Sequence, residues 1–387
     1  MTYAGGRPML DADSHLMELP GFLDEFIDDA MLDRLKGRSM SRLVPMLDKA
    51  ASDAEKRRID AGARSKAEER LLLDKGWNAM GAFDPAERSH VVDLFGFDGQ
   101  LVFATFATAM FMGKDVDLLY AGSAAHNRAV AAFCSDDPRL LPVAFVPLNE
   151  TERAVTLLQE AIDLGCAAIH IPSTAAGDRA PTHPDLDPFW ALLERSGVPF
   201  VLHVGGGGRL LDRSFHENGR PVSDHLGGGE NIRSKDFLAI SNSPALFLGT
   251  LILDGLFDQF PGLRGGVIEE GASWVVSWTH QLDFAQRAFR PTEQPLQDLA
   301  MKPSDYVRKH LKFTPFPGEP VGWMIEQAGA ELFMFSTDYP HPEGGRDPLA
   351  KFEDAMPGIG EDAKHRFYYE NMAELLGPAL VPAPAVG

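Results

Sequence analysis

Three well-separated stretches of the chain end in side chains that bind divalent cations. Asp13 and His15 close the run Met9-Leu10-Asp11-Ala12-Asp13-Ser14-His15, His203 ends Phe200-Val201-Leu202-His203, and Asp338 falls within Phe335-Ser336-Thr337-Asp338-Tyr339-Pro340-His341. On a strand, an i, i+2 spacing turns Asp13 and His15 to the same face. One terminal histidine would read as a satisfied core residue; three apolar runs ending this way read as a ligand set. Two imidazoles and two carboxylates hold one divalent ion through nitrogen and oxygen, a set that suits Zn²⁺ and leaves Mn²⁺ open.

Other ionisable residues fall at comparable places. Glu269 and Glu270 are adjacent, so on a strand one faces inward while the other meets the surrounding shell. An inward carboxyl needs partners or a raised pKa, which makes Glu269 a general acid/base candidate. His170 ends a further apolar run, and His341 follows Asp338; both are candidates for substrate contact. The glycine-rich segment 205–232 carries Arg209, Arg213 and Arg220, whose guanidinium forks match a carboxylate. Gly205–208 lacks a GxxxxGK[ST] pattern, so close backbone approach is expected there, not phosphate binding. His90, His126, His183, His280, His310 and His365 lie away from these ends and read as structural or exposed.

Positioning such residues requires a scaffold that brings distant strand ends together. Short apolar runs at 9–15, 100–106, 141–147, 167–172, 199–204, 264–269, 310–314 and 331–338 have strand length and little alternation, as parallel strands buried on both faces do. Helical patterns at 123–135, 151–164, 187–195, 244–259, 274–286, 320–328 and 363–376 separate them. Eight strands alternating with helices predict an α/β fold, a (β/α)₈ TIM barrel, whose catalytic groups sit at the C-terminal ends of the strands. The expected organisation is one domain over 1–377, with a helical insertion after strand 1 at 17–88 and a flexible tail at 378–387. Residues 50–75 are dense in charge and read as a solvated helical face, and 289–306 reads as a proline-rich surface connection.

Composition narrows the class. The 387 residues are 44% hydrophobic and 24% charged, which excludes a fibrous or disordered chain. A net charge of -20 without a basic stripe argues against nucleic-acid binding. Two cysteines, Cys134 and Cys166, supply neither a disulfide framework nor a thiolate zinc cluster. No apolar run reaches the roughly 18 residues of a membrane span, and the first residues show no signal-peptide core. The expectation is a cytoplasmic enzyme without a membrane or nucleic-acid partner.

With these motifs in order, the chain resembles the decarboxylase-related branch of the amidohydrolase superfamily, which includes amino-carboxymuconate-semialdehyde decarboxylase and the hydroxybenzoate decarboxylases. The resemblance rests on Asp11-Ala12-Asp13-Ser14-His15, on Val201-Leu202-His203, on Phe260-Pro261-Gly262-Leu263 followed by Val267-Ile268-Glu269-Glu270-Gly271-Ala272-Ser273-Trp274, and on Ser336-Thr337-Asp338-Tyr339-Pro340-His341-Pro342. It spans 8–376 and is weakest over 17–88. It implies metal ligands at Asp13, His15, His203 and Asp338, and a homodimer. The family's first motif commonly reads His-x-His where this chain has Asp13-Ser14-His15, and its usual catalytic histidine falls on Glu269. The implied reaction is decarboxylation of a small aromatic or unsaturated carboxylic acid. The alternative is hydrolysis of an amide, ester, lactone or activated C–C bond, with Asp338 accepting a proton from water. A barrel that has lost activity and serves as a binding protein is a third reading.

Overall fold

The computed structural model describes residues 2–35, 44–206, 210–220 and 234–380. Its centre is a parallel sheet of seven strands in sequential order: β1 (Leu10–Leu16), β2 (Gly99–Ala104), β3 (Leu140–Phe145), β4 (Ala168–His170), β5 (Phe200–His203), β6 (Gly265–Ile268) and β7 (Leu311–Phe313). Helices follow the strands, among them Val116–Cys134, Thr151–Asp163, Asp187–Ser196, Asn242–Leu253, Trp274–Phe289 and Val321–Ala328. This is the α/β alternation expected from the apolar runs. Alternate residues along a strand enter different cores, as the two-residue period demands. Leu10, Ala12, Leu101, Phe103, Val143, Val201 and Ile268 share one buried cluster with Met334, Met372 and Leu375. Met9, Val102, Ala144, Ile169, Leu202 and Val267 belong to the other, packed with helical residues such as Trp190, Leu248 and Val275.

The expected eighth strand differs from its neighbours. Residues 332–339 form isolated parallel bridges, Phe313 with Phe333 and Ser14 with Tyr339, not a continuous ladder. The segment still bonds to both edge strands: Met334 N donates to Phe313 O at 2.8 Å, Ala12 N to Phe335 O at 3.1 Å and His15 N to Tyr339 O at 2.7 Å. Two of its own donors go elsewhere, which interrupts the ladder. Phe335 N donates to Phe367 O at 2.9 Å, and Thr337 N to the Asp11 carboxylate at 2.8 Å.

Between β1 and β2 the chain forms helices Asp29–Leu35, Val44–Ile59, Ala61–Glu68 and Pro85–Phe95. The solvated reading of 50–75 holds for most of its charges, with Arg57 the buried exception, and further buried charges follow it at 84–88. Arg57 and Glu87, 6% and 8% exposed, meet through two hydrogen bonds of 2.8 and 2.9 Å. Arg88 is fully buried and donates to Gly81 O at 2.8 Å and to His15 O. The connection expected at 289–306 also holds structure, with helices Gln294–Asp298 and Pro303–His310. Each has proline in its first turn, where the missing N–H costs nothing. His310 thus ends a helix instead of opening a strand. The helix expected over 244–259 breaks at Gly255, whose φ of 79° is left-handed. One stretch, Ser234–Leu253, is long and apolar enough to cross a membrane by length and composition, which the run-length reading did not flag. Its Phe247, Leu248, Leu251 and Ile252 are buried in the core that packs the sheet against its helices.

Candidate metal centre and adjoining cavity

Because all seven strands run parallel, their C-terminal ends converge at one edge, and there the polar residues meet. Asp13 and His15 project from β1, His203 is the last residue of β5, Glu269 follows β6, and Asp338 sits in the bridging segment. Asp13, His15, His203 and Glu269 each offer one ligand atom within 4.8 Å of the others; His15, Glu269, Asp338 and His341 do the same. His15 Nε2 is 3.2 Å from Asp13 Oδ1, 3.7 Å from Asp338 Oδ1 and 4.0 Å from Glu269 Oε2. His203 Nε2 lies 3.5 Å from Asp13 Oδ1 and 3.4 Å from Glu269 Oε2. Asp13, His15 and His203 therefore group with Glu269, while Asp338 groups with His15, Glu269 and His341; the two sets share His15 and Glu269.

The backbone at this edge is held in uncommon conformations. Among the described residues, Glu269 and Asp338 are the non-glycine positions with positive φ, 54° and 53°. Such a geometry costs on the order of 1–3 kcal/mol and persists where neighbours over-determine it. Thr314 Oγ1 accepts from Glu269 N at 3.0 Å. Asp338 N donates to Asp13 O at 2.8 Å, and His341 N donates to Asp338 O at 2.7 Å. Glu269 and the following Glu270 are both buried.

Charge at this edge is unbalanced without a cation. Burial and the nearby His341 push His15 down to about 3. Burial pushes Asp338 up to about 7, opposed by His341, and pushes Glu270 up to about 8. Burial acts against the Asp13 carboxylate too, but its contacts with His15 and His203 outweigh that and hold it below the usual carboxylate range. Asp13 Oδ1, His15 Nε2 and Asp338 Oδ2 are buried and make no hydrogen bond. Buried nitrogen and carboxylate oxygen atoms converging this closely fit a divalent ion.

Beside this cluster lies a cavity of about 140 Å³ bordered by His15 and His203. Phe103 and Phe145 form aromatic walls, and His126 and His170 also border it. Phe103 packs 4.5 Å from the His203 ring and Phe145 5.1 Å from the His170 ring. Burial lowers His126 to about 4 and holds His170 well below the ordinary histidine value. His126 is thus a cavity residue that its mid-helix position concealed; the apolar residues around it in the sequence gave no sign of the opening.

The remaining expected residues divide. His170 borders the cavity. His341 does not; it stacks on His15 at 3.9 Å, with Nδ1 2.9 Å from Asp338 Oδ1 and Nε2 3.0 Å from Thr105 Oγ1. Arg209 lies outside the described residues. Arg213 begins a short 3-10 turn, Arg213–Phe215, and Arg220 N donates to Asn218 Oδ1 at 3.0 Å. Thr314, Thr337 and Asp11 position the cluster without standing out in the sequence as chemical residues.

The amidohydrolase family profile matches residues 11–377 of this chain. A gamma-resorcylate decarboxylase from a Rhizobium species is 27% identical over 227 residues, covering 55% of this chain and 64% of the relative. The match thus spans under two thirds of that relative's length. Among solved structures, an amidohydrolase from Mycobacterium avium subsp. paratuberculosis superposes with a TM-score of 0.71 at 17% identity, covering 96% of this chain and 100% of the other. A 5-carboxyvanillate decarboxylase from Novosphingobium aromaticivorans, in complex with manganese and 4-hydroxy-3-methoxy-5-nitrobenzoic acid, gives 0.63 at 17% identity, covering 97% of each. At these identities the two structures establish a shared fold.

Proposed function

The chain belongs to the amidohydrolase family, and on that premise we propose that it is a divalent-metal-dependent decarboxylase of a small aromatic carboxylic acid. The observation that carries this reading is the N/O donor cluster opening onto an aromatic-walled cavity of single-ring size. The gamma-resorcylate decarboxylase relative supports a lyase over a hydrolase.

Asp13, His15, His203 and Asp338 would hold the ion. When bound, it supplies Lewis-acid polarisation of the substrate oxygens and stabilises negative charge developing there. Phe103 and Phe145 hold the ring, with its carboxylate towards His15 and His203. Glu269 delivers a proton to the ring carbon bearing the carboxylate. The bond from that carbon to the carboxylate then breaks, its electron pair returns to the ring, and CO₂ leaves. His341, between Asp338 and Thr105, fixes the Asp338 carboxylate instead of touching substrate.

Zn²⁺ suits the four-residue set, and its two carboxylates also suit Mn²⁺; manganese in the 5-carboxyvanillate decarboxylase supports the second choice. The proposal includes a closed eight-stranded barrel over 1–377, completed by residues 332–339, with 17–88 as a helical insertion and 378–387 as a tail. It also includes a cytoplasmic homodimer, for which light scattering would return the mass of two chains.

The test is to load the purified protein with Mn²⁺ and assay aromatic acids, esters and lactones for CO₂ and for hydrolysis products. Stoichiometric CO₂ from an aromatic acid is the expected result. Water-dependent cleavage without CO₂ would replace the decarboxylase with a hydrolase.

A further inference from the structure

One histidine at this edge, outside the four assigned ligands, carries a lone pair whose direction its neighbours fix. Thr105 Oγ1 donates to Leu16 O at 2.8 Å, which uses the single hydroxyl proton. His341 Nε2, 3.0 Å from the same oxygen, is therefore the donor in that contact. A neutral imidazole protonated on Nε2 keeps its lone pair on Nδ1. His341 Nδ1 lies 2.9 Å from Asp338 Oδ1, and both side chains are buried. Two electron-rich atoms this close and away from water repel unless positive charge lies between them.

The neighbouring ring shows how a metal ion answers that need. His15 and His341 stack with centroids 3.9 Å apart and planes 26° apart. Both present a nitrogen to the same oxygen, Asp338 Oδ1: His15 Nε2 from 3.7 Å and His341 Nδ1 from 2.9 Å. Nitrogen lone pairs leave in the plane of each ring, so ions taken by the two imidazoles are separated by about the ring spacing. That spacing falls within the roughly 3.5–4 Å of two-metal sites. His15, Glu269, Asp338 and His341 each bring one ligand atom within 4.8 Å of the others, just as Asp13, His15, His203 and Glu269 do. With His15 Nε2 taken by the first ion, Asp338, His341 and Glu269 are left for another. Three protein ligands with an open position is a usual arrangement for a divalent ion.

We propose that this edge takes a second divalent cation, Mn²⁺ or Zn²⁺, on His341 Nδ1, Asp338 and Glu269. The Asp338 carboxylate bridges it to the ion on Asp13, His15 and His203. The second position fills after the first, whose ion holds Asp338 in place. A metal-bound carboxylate is deprotonated, so Glu269 then loses the proton it delivers in the reaction proposed above, and the second ion inhibits turnover. The inhibition rests on that reading; the binding site does not.

Calorimetric titration of the dialysed protein with Mn²⁺ tests the site without turnover. The wild type should bind two ions, and with both bound its electron paramagnetic resonance should be that of an exchange-coupled manganese pair. His341→Phe keeps a flat ring against His15 but offers no nitrogen; it should bind one ion and give an uncoupled spectrum. Thr105→Val no longer fixes the tautomer, and should weaken the second ion about 10–100-fold while leaving the first. Retention of the first ion shows that each variant is folded. A single ion in the wild type would mean that a proton sits between His341 and Asp338, and would overturn the proposal; so would a second ion that survives His341→Phe. CO₂ release by the wild type should rise with the first equivalent of Mn²⁺ and fall with the second. Two bound ions without that fall would overturn the inhibition and leave the site. No CO₂ at one equivalent would overturn the decarboxylase reading, with the ion count still deciding the site.

Discussion

Thr337 donates to both oxygens of one buried carboxylate: its backbone N–H reaches Asp11 Oδ1 at 2.8 Å and its hydroxyl reaches Asp11 Oδ2 at 2.6 Å. Asp13 N donates to the same Oδ1 at 3.3 Å, and Gln100 Nε2 to Oδ2 at 2.8 Å. Asp11 therefore ties together β1, β2 and the bridging segment immediately beside Asp13 and Asp338. Both candidate ligands are placed by a residue that is itself outside the donor groups.

Replacing Asp11 with Asn puts an NH₂ group where a carboxylate oxygen accepts two donors. Burial raises Asp11 to about 7 against the hydrogen bonds from Thr337 and Gln100, so above that pH it accepts as a carboxylate; such bonds contribute about 1.5–3 kcal/mol, and the variant should be less stable in urea by that order there. Supporting residues behind metal ligands typically control about 10–100-fold in metal affinity. Competition titration with a chromogenic chelator should show a loss in that range; unchanged affinity would make Asp11 a purely structural residue.

His203→Ala should abolish metal binding and activity together, because His203 Nε2 contacts both Asp13 and Glu269. Elemental analysis after dialysis against Mn²⁺ or Zn²⁺ is the measurement. Full turnover by this variant would remove the assigned centre. Chelating the wild-type protein should lower its melting temperature, since a ligand that binds only the folded state stabilises it.

Glu269→Gln separates two roles for that carboxyl. A proton donor lost at this position should cost turnover at least ~100-fold with the metal retained. Loss of the ion along with activity would reassign Glu269 as a ligand. Wild-type rates would leave it structural.

Protonation of His126 sets a stability window. Its pKa is about 4 in the fold, lowered by burial, against about 6.5 unfolded. Between these values the unfolded chain binds more protons, so stability falls as pH drops from about 6.5 towards 4 and is fully present above that range. The difference corresponds to about 3 kcal/mol at its acid limit. His126 faces Asn127, at 2.9 Å through Nδ1, with Phe111 and Phe145 against its ring. Denaturation at pH 7 and pH 5 should show a smaller difference in His126→Gln than in the wild type.

The Arg57–Glu87 pair should matter out of proportion to its distance from the chemistry. Glu87 Oε2 also accepts from Gly81 N at 3.1 Å, and Gly81 O accepts from Arg88, which donates in turn to His15 O. Removing one member of a buried pair costs about 3–5 kcal/mol. Glu87→Ala should lose stability on that scale. The chain of bonds towards His15 predicts weaker metal binding as well, readable in the same competition titration.

Seven of the eight strands and the residues ending them were legible in the sequence, because their determinants are local. An apolar run buried on both faces marks a parallel strand, and a polar residue at its end marks the mouth of the sheet. The i, i+2 spacing of Asp13 and His15 fixed their common direction without reference to anything else. Contacts between distant segments were not legible in the same way. Arg57, Arg88 and Glu87 look like solvated charges until the fold supplies their partners, and His126 looks like a helix residue until β3 and β4 place Phe145 and His170 beside it. Glu269, expected inward near the metal, does join the donor cluster, and only its left-handed conformation is not encoded in strand periodicity. Thr337 took its hydrogen bonds to Asp11 instead of to a neighbouring strand. Residue type and local period thus determined which groups are available for chemistry. Burial, pairing and backbone strain, which depend on segments hundreds of residues apart meeting in space, decided which of them work together.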